Sequence, residues 1–303
     1  MDAGQIRQRR QEIIERSGPW TGHNIHLRDD LYTIEPKVVG DEVKLRRITQ
    51  VVSDIAGRPL ADLRVLDLGS LEGLYAVELA RHGASVVAVE IREANIEKIR
   101  FAKEALGLDN LEIVRDDVRN LDAEKYGHFD IVLCLGLLYH LDAPDVFHFT
   151  KRVAEVCSRA AIFDTHVSLA DEISQAYDGE KYWGTNFLEH GDDETEEEKK
   201  KKLWASAGNP KSFWLTKPSL NNLLSRVGFT SVYECYNPPE INKPADRVTL
   251  VALKGDRAAI LSAPLLGGLA EEYWPEKPRV ESSTLKQLGQ RVVNKLLRRR
   301  ERP

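Results

Sequence analysis

The sequence lacks any apolar run approaching the roughly 18 to 20 residues of a membrane-spanning helix. Its first 18 residues are charged throughout and have no apolar core of the signal-peptide kind. Cysteine is scarce. Cys134, Cys157 and Cys235 are odd in number, far apart and set in apolar segments. That pattern reads as buried thiols in a reducing compartment, and it excludes a disulfide framework or a zinc site. A cytoplasmic protein is expected. An excess of one charge is also missing: 43 Lys+Arg against 48 Asp+Glu gives −5. This argues against a surface built as a whole to hold nucleic acid and leaves only a local basic face for that role. There is no internal repeat.

What is present is ordinary for a globular chain: 303 residues, 42% hydrophobic and 30% charged. The pattern predicts a helix over Gln5–Arg16, stopped by Ser17-Gly18-Pro19. Apolar alternation around Arg28-Asp29-Asp30 predicts a hairpin or extended loop within 20–34. Val43, Ile48, Val51, Val52 and Ile55 recur at helical spacing. Residues 1–58 are therefore expected to form a helical and hairpin cap.

Short apolar strands then alternate with helices. Strands are predicted at 64–68, 85–90, 111–114, 129–135 and 160–164, with helices at 74–82, 94–106 and 145–157. Such alternation means a mostly parallel sheet covered on both faces. An aromatic- and charge-rich insertion follows at about 167–216, and its Glu196–Lys202 run predicts a solvated helix face. A helix at 218–227 and strands at 230–236 and 247–253 complete the pattern. The last two strands are close enough for an antiparallel pair. From 256 to 303 a punctuated extension ends in a basic amphipathic helix, Leu285–Arg300.

Four positions within this pattern point to chemistry. The turn Asp67-Leu-Gly69-Ser70-Leu-Glu-Gly73 joins the first strand to its helix, where glycine lets the backbone approach a ligand. The second strand ends in Glu90, placed to accept both hydroxyl hydrogens of a ribose. Asp117-Val118 follows the third strand and suits the amino group and face of an adenine. The fourth strand runs through Leu135-Gly136 into Tyr139-His140.

On these residues the chain resembles the class I S-adenosylmethionine-dependent methyltransferases, over about Arg64 to Leu253. The resemblance implies an α/β, Rossmann-like, doubly wound sheet of seven mostly parallel strands with an antiparallel last strand. It implies S-adenosylmethionine as cofactor, with Asp67 and Gly69 at its methionine end, Glu90 on the ribose, and Asp117 with Val118 flanking the adenine. Leu135 and Gly136 would pass beneath the sulfonium. Ser70, Gly73 and Ile91 complete the expected cofactor set. Leu71 and Glu72 depart from the family, which usually has glycine and a small residue there. A local stretch, Gly136 to Leu141 with Phe213 to Leu220, is also similar to the tRNA wobble-uridine carboxymethyl-transferring enzymes. A nicotinamide site is the main rival, but it prefers a third glycine and gives Asp117-Val118 no role.

Methyl transfer to a hydroxyl needs a base, and the candidates are His140, His166 and Tyr139. Each has a packing role as its alternative. Trp20, His23 and Trp183 are expected to roof the substrate, with packing again the alternative for the aromatic rings. The expected activity is methylation of oxygen or nitrogen in a small metabolite or sugar-like acceptor. An RNA-modifying enzyme, suggested by the basic tail, and a non-catalytic cofactor-binding regulator are the alternatives. No metal is expected, and the loosely spaced trio His166, His190 and Asp192 is the one metal candidate.

Overall fold

The computed structural model describes residues 1–34, 42–195, 198–199, 202–236 and 245–256. Asp2 opens α1 (Ala3–Ser17): its carboxylate accepts from the Gln5 backbone, and the Gln5 side chain returns to the Asp2 backbone as a capping box. Ile6 and Ile13, two turns apart on one face, are its buried residues. The expected hairpin is there as β1 (His26–Arg28) and β2 (Leu31–Tyr32), paired antiparallel. Helix α2 (Glu42–Ala56) turns Ile48, Val52 and Ala56 inward.

The alternating region folds as β3 (Arg64–Leu68), α3 (Leu74–Arg81), β4 (Ser85–Glu90), α4 (Glu93–Leu106) and β5 (Leu111–Arg115). It continues through α5 (Ala123–Tyr126), β6 (Phe129–Leu135), α6 (Asp145–Val156) and β7 (Cys157–His166). Strands β8 (Ile173–Tyr177), β9 (Glu180–Leu188) and β10 (Lys211–Leu215) come next, then α7 (Lys217–Arg226), β11 (Ser231–Cys235) and β12 (Arg247–Leu253). The main sheet has seven strands in the order β11-β12-β7-β6-β3-β4-β5. All its pairings are parallel except the two made by β12.

The apolar runs are continuous because both faces of this sheet are covered. Side chains alternate between two cores. Leu66, Val87, Val132 and Phe163 face one of them, with α6 and α7; Val65, Val86, Ile131 and Ile162 face the other, with α1 to α4. The connections leaving the neighbours β3 and β6 run in opposite directions along the sheet, which opens a crevice at their carboxyl ends.

The insertion after β7 differs from its sequence expectation: it carries a three-stranded antiparallel sheet in the order β10-β9-β8. Strand β8 has no buried residue and β9 alternates only briefly, so period-2 patterning was weak. Buried Tyr182 and Phe213 fix this small sheet to Phe147 of α6, at ring-centroid distances of 5.2 and 6.1 Å. The expected solvated helix over 196–202 falls largely outside the described residues. The chain divides into two units, Met1–Arg257 and Ala258–Pro303. The second, with the expected basic helix, lies outside the described residues. Among the described residues no helix is long and apolar enough to cross a membrane.

Candidate active site

A cavity of about 680 Å³ opens at the carboxyl ends of β3, β4 and β6. Gly69 and Gly136 line it, with φ of +65° and +86°. A Cβ on Gly69 would sit 3.1 Å from the Leu137 side chain, so glycine keeps this wall thin. Leu71, where the family has glycine, adopts φ +50°. The loop thus keeps a glycine-like backbone despite the side chain, and the Leu71 N–H donates to Glu90 Oε2 at 2.9 Å.

Glu90 ends β4 almost fully buried at the cavity wall. Its Oε1 accepts from the backbone N–H of Ile91 (3.1 Å) and Arg92 (2.9 Å). Burial raises its pKa, and the N–H groups of Arg92 and Leu71 oppose the rise. Beside it Asn95, fully buried on α4, also lines the cavity, and its side-chain amide adds to the groups that oppose the rise at Glu90. Asp67 lies behind the glycine turn with Oδ2 buried and unpartnered, and burial pushes its carboxyl up to about 7. Ile91, Asp117, Val118 and Leu135 line the same cavity. Asp117 is clamped by Arg119, whose Nε lies 3.0 Å from both carboxylate oxygens.

At the other end of the cavity, Tyr139 and His140 stand on the turn after β6. His140 Nδ1 lies 3.0 and 3.1 Å from the two carboxylate oxygens of Glu189. Glu189, at the end of β9, is buried and also accepts from Ser206 N (2.9 Å) and Ser212 Oγ (2.8 Å). Burial pushes its carboxyl up, but His140, Ser206 and Ser212 outweigh that and hold it below the usual range. Asn209 donates its amide to the His140 carbonyl at 2.9 Å, so the insertion fixes both the ring and the backbone of that histidine. Next to it Asp164 accepts from Lys44 Nζ (2.7 Å), Arg247 Nε (2.6 Å) and Thr249 Oγ1 (2.8 Å). Lys44 and Arg247 line the cavity.

Several expected residues lie elsewhere. His166 does not line the cavity. Its ring stacks on Trp214 at 4.9 Å, its Nδ1 is 3.0 Å from Asp246, and Arg247 lies 3.2 Å from Nε2. Trp20 is buried against Phe101 and Lys98, packing rather than roofing. Trp183 lines a separate groove with Tyr236. His23 does reach the cavity, with Nδ1 accepting from Leu74 N at 3.2 Å. Ser70 and Gly73 lie behind the wall: Ser70 Oγ donates to the Asp67 carbonyl at 2.9 Å, and Gly73 (φ +87°) makes room for Ile99. The residues of His166, His190 and Asp192 are not gathered into a metal-binding cluster among the described residues. Sequence reading missed Glu189 and Arg247, which reach the site from distant segments, and Asn95, in the first turn of α4 just after Glu90.

Residues 65–159 match the methyltransferase domain family. The chain thus carries a methyltransferase domain over that stretch. Over 85 residues it is 34% identical to the ubiquinone biosynthesis O-methyltransferase of Acinetobacter baylyi, covering 28% of this chain and 36% of that protein. Over 165 residues it is 27% identical to the magnesium-protoporphyrin O-methyltransferase of Rhodobacter capsulatus, covering 54% and 70%. The chain spans about a third of the length of most of the curated relatives it matches. A longer likeness is structural. The N-terminal domain of EvdMO1, solved in the presence of SAH and D-fucose, superposes with a TM-score of 0.65 at 25% identity. That match covers 84% of this chain and 98% of the EvdMO1 domain, so it takes in parts of this chain outside the methyltransferase domain.

Proposed function

We propose that this chain methylates a hydroxyl oxygen of a small, polyhydroxylated acceptor, using S-adenosylmethionine. The observation that carries the reading is that His140, held from behind by the buried Glu189, lines the same cavity as Gly69 and Glu90.

The residues present fit the cofactor. Asp67 has a buried carboxylate oxygen without a partner, suited to the ammonium end, and the thin walls at Gly69 and Gly136 admit close approach. Glu90 already uses about three of its roughly four acceptor sites on backbone N–H groups. It can take one ribose hydroxyl, and Asn95 lines the cavity beside it. Ile91 and Val118 offer apolar flanks for the adenine. The cofactor supplies a methyl group on a sulfonium, already activated for displacement.

The protein's own contribution is then alignment, exclusion of water and removal of one proton. Glu189 holds His140 by Nδ1, which leaves Nε2 as the ring nitrogen for the acceptor's hydroxyl proton. The buried carboxylate stabilises the imidazolium that results, the logic of a base oriented by a third group. Arg247 and Lys44 give the acceptor end a cationic, donor-bearing wall, which suits an acceptor carrying several oxygens. The O-methyltransferase relatives and the EvdMO1 domain solved with D-fucose support this choice of atom and acceptor type.

The test is transfer of a labelled methyl group to a panel of hydroxylated small molecules. On an acceptor that turns over, His140→Gln should lower kcat by about 10²–10⁴-fold with S-adenosylhomocysteine affinity held within about twofold. Undiminished turnover in that variant would remove the base from the scheme.

A further inference from the structure

Within the glycine turn, two residues before α3, lies a buried carboxylate that the reaction does not use. Glu72 and Lys98 are both fully buried, and Lys98 Nζ lies 2.9 Å from Glu72 Oε1. The other donors to Glu72 come from one short segment near the N-terminus: Thr21 N (2.8 Å), Thr21 Oγ1 (3.3 Å), Gly22 N (3.2 Å) and His23 N (3.1 Å). Lys98 adds a bond to the Pro19 carbonyl at 2.7 Å and stands over the Trp20 ring. One ion pair therefore holds every residue from 19 to 23.

That segment forms part of the cavity. His23 lines it, meets the Tyr75 ring edge-on at 5.7 Å, and caps the first turn of α3 through Leu74 N. Glu72 follows directly on Leu71, whose N–H holds the Glu90 carboxylate. The fastening of the segment, through the Glu72 side chain, and the shape of the cofactor loop, through the Leu71 N–H, thus rest on adjacent residues.

We infer that Glu72 and Lys98 are positioning residues for the cofactor: together they clasp residues 19–23 against the loop, so that His23 and Tyr75 close one wall of the cavity. This rests on the cofactor reading above. Docking of the segment and binding of the cofactor then strengthen each other by one common factor, as linkage requires.

The test uses the full-length chain as wild type and as Glu72→Gln/Lys98→Met, which removes both charges and leaves neither stranded in the interior. Two quantities are measured: calorimetric affinity for S-adenosylhomocysteine, and hydrogen exchange of the Thr21, Gly22 and His23 amides with and without that ligand. In the double variant the clasp predicts at least tenfold faster exchange of these amides and at least tenfold weaker affinity. In the wild type it predicts that the ligand slows the same amides. Should the double variant not fold, Thr21→Pro removes both Thr21 bonds while keeping the pair, and it is expected to weaken affinity in the same direction. Freed amides with unchanged affinity would reduce the pair to a structural role and overturn the inference. Amides that stay protected would overturn the fastening itself. A wild type that ignores S-adenosylhomocysteine, while the variant's amides are freed, would instead sink the cofactor reading and the coupling with it, leaving the fastening intact.

Discussion

A buried carboxylate oxygen without a partner disfavours the ionised form, and Asp67 has one. Its carboxyl is pushed by burial up to about 7, from an ordinary value of 3.8. The folded state therefore binds this proton more tightly than the unfolded chain. Its effect on stability is absent below about pH 4 and becomes a penalty as pH rises towards 7. At 1.36 kcal/mol per pKa unit, wild type should lose about 2–3 kcal/mol more than Asp67→Asn between pH 5 and pH 8 in urea unfolding. Parallel pH profiles for the two proteins would contradict the buried-proton account. Glu90 was legible in the sequence because it ends an apolar strand, a position that topology alone places at the crevice, whereas Asp67, one residue short of the end of β3, lies behind the glycine turn and does not line the cavity. Glu189 was not legible, since 49 residues separate it from His140. Nothing local marks a carboxylate that becomes a partner only after an inserted sheet folds back. His166 shows the opposite failure: it lies at the expected strand end, but its ring is taken up by Trp214 and Asp246.

At the scale of elements, β3 to β7 were readable because covering a sheet on both faces forces continuous apolar runs. The inserted β8–β10 sheet was hidden because few residues of β8 and β9 are buried, so no regular apolar alternation marks them. Its close packing makes a sharp test. A Cβ on Gly184 of β9 would fall 2.1 Å from the Trp214 carbonyl oxygen and 2.9 Å from the Phe213 ring. Gly184→Ala should therefore displace β10 from β9, at a cost of about 3 kcal/mol or more. Acceptor kcat/KM should fall more than tenfold, since Glu189 and Asn209 are carried by this insertion, while S-adenosylhomocysteine affinity changes by less than about threefold. Equal losses in both would mean that the insertion does not divide the cavity's labour in this way. The Glu72–Lys98 pair joins elements too, and removing one partner alone should cost about 3–5 kcal/mol, more than removing both. Glu72 was visible in the sequence only as a departure from the family; the reason for it is the segment 19–23, some fifty residues earlier.

For the molecule as a whole, the sheet provides a crevice, the N-terminal segment closes one wall and the insertion supplies the other. Each addition to the methyltransferase core thus brings residues to a single cavity: His23 and Lys44 from one, Trp204 and Asn209 from the other. The match of 98% of the EvdMO1 domain to this chain is in keeping with such an enlarged core. The central claim is that this cavity holds S-adenosylmethionine on Glu90. It is tested most directly by calorimetric titration of S-adenosylhomocysteine into wild type and Glu90→Ala, with NADH as the competing ligand class. The account predicts saturable binding to wild type, weakened at least tenfold in the variant, and no binding of NADH. Equal affinity in the two proteins, or a preference for NADH, would contradict it.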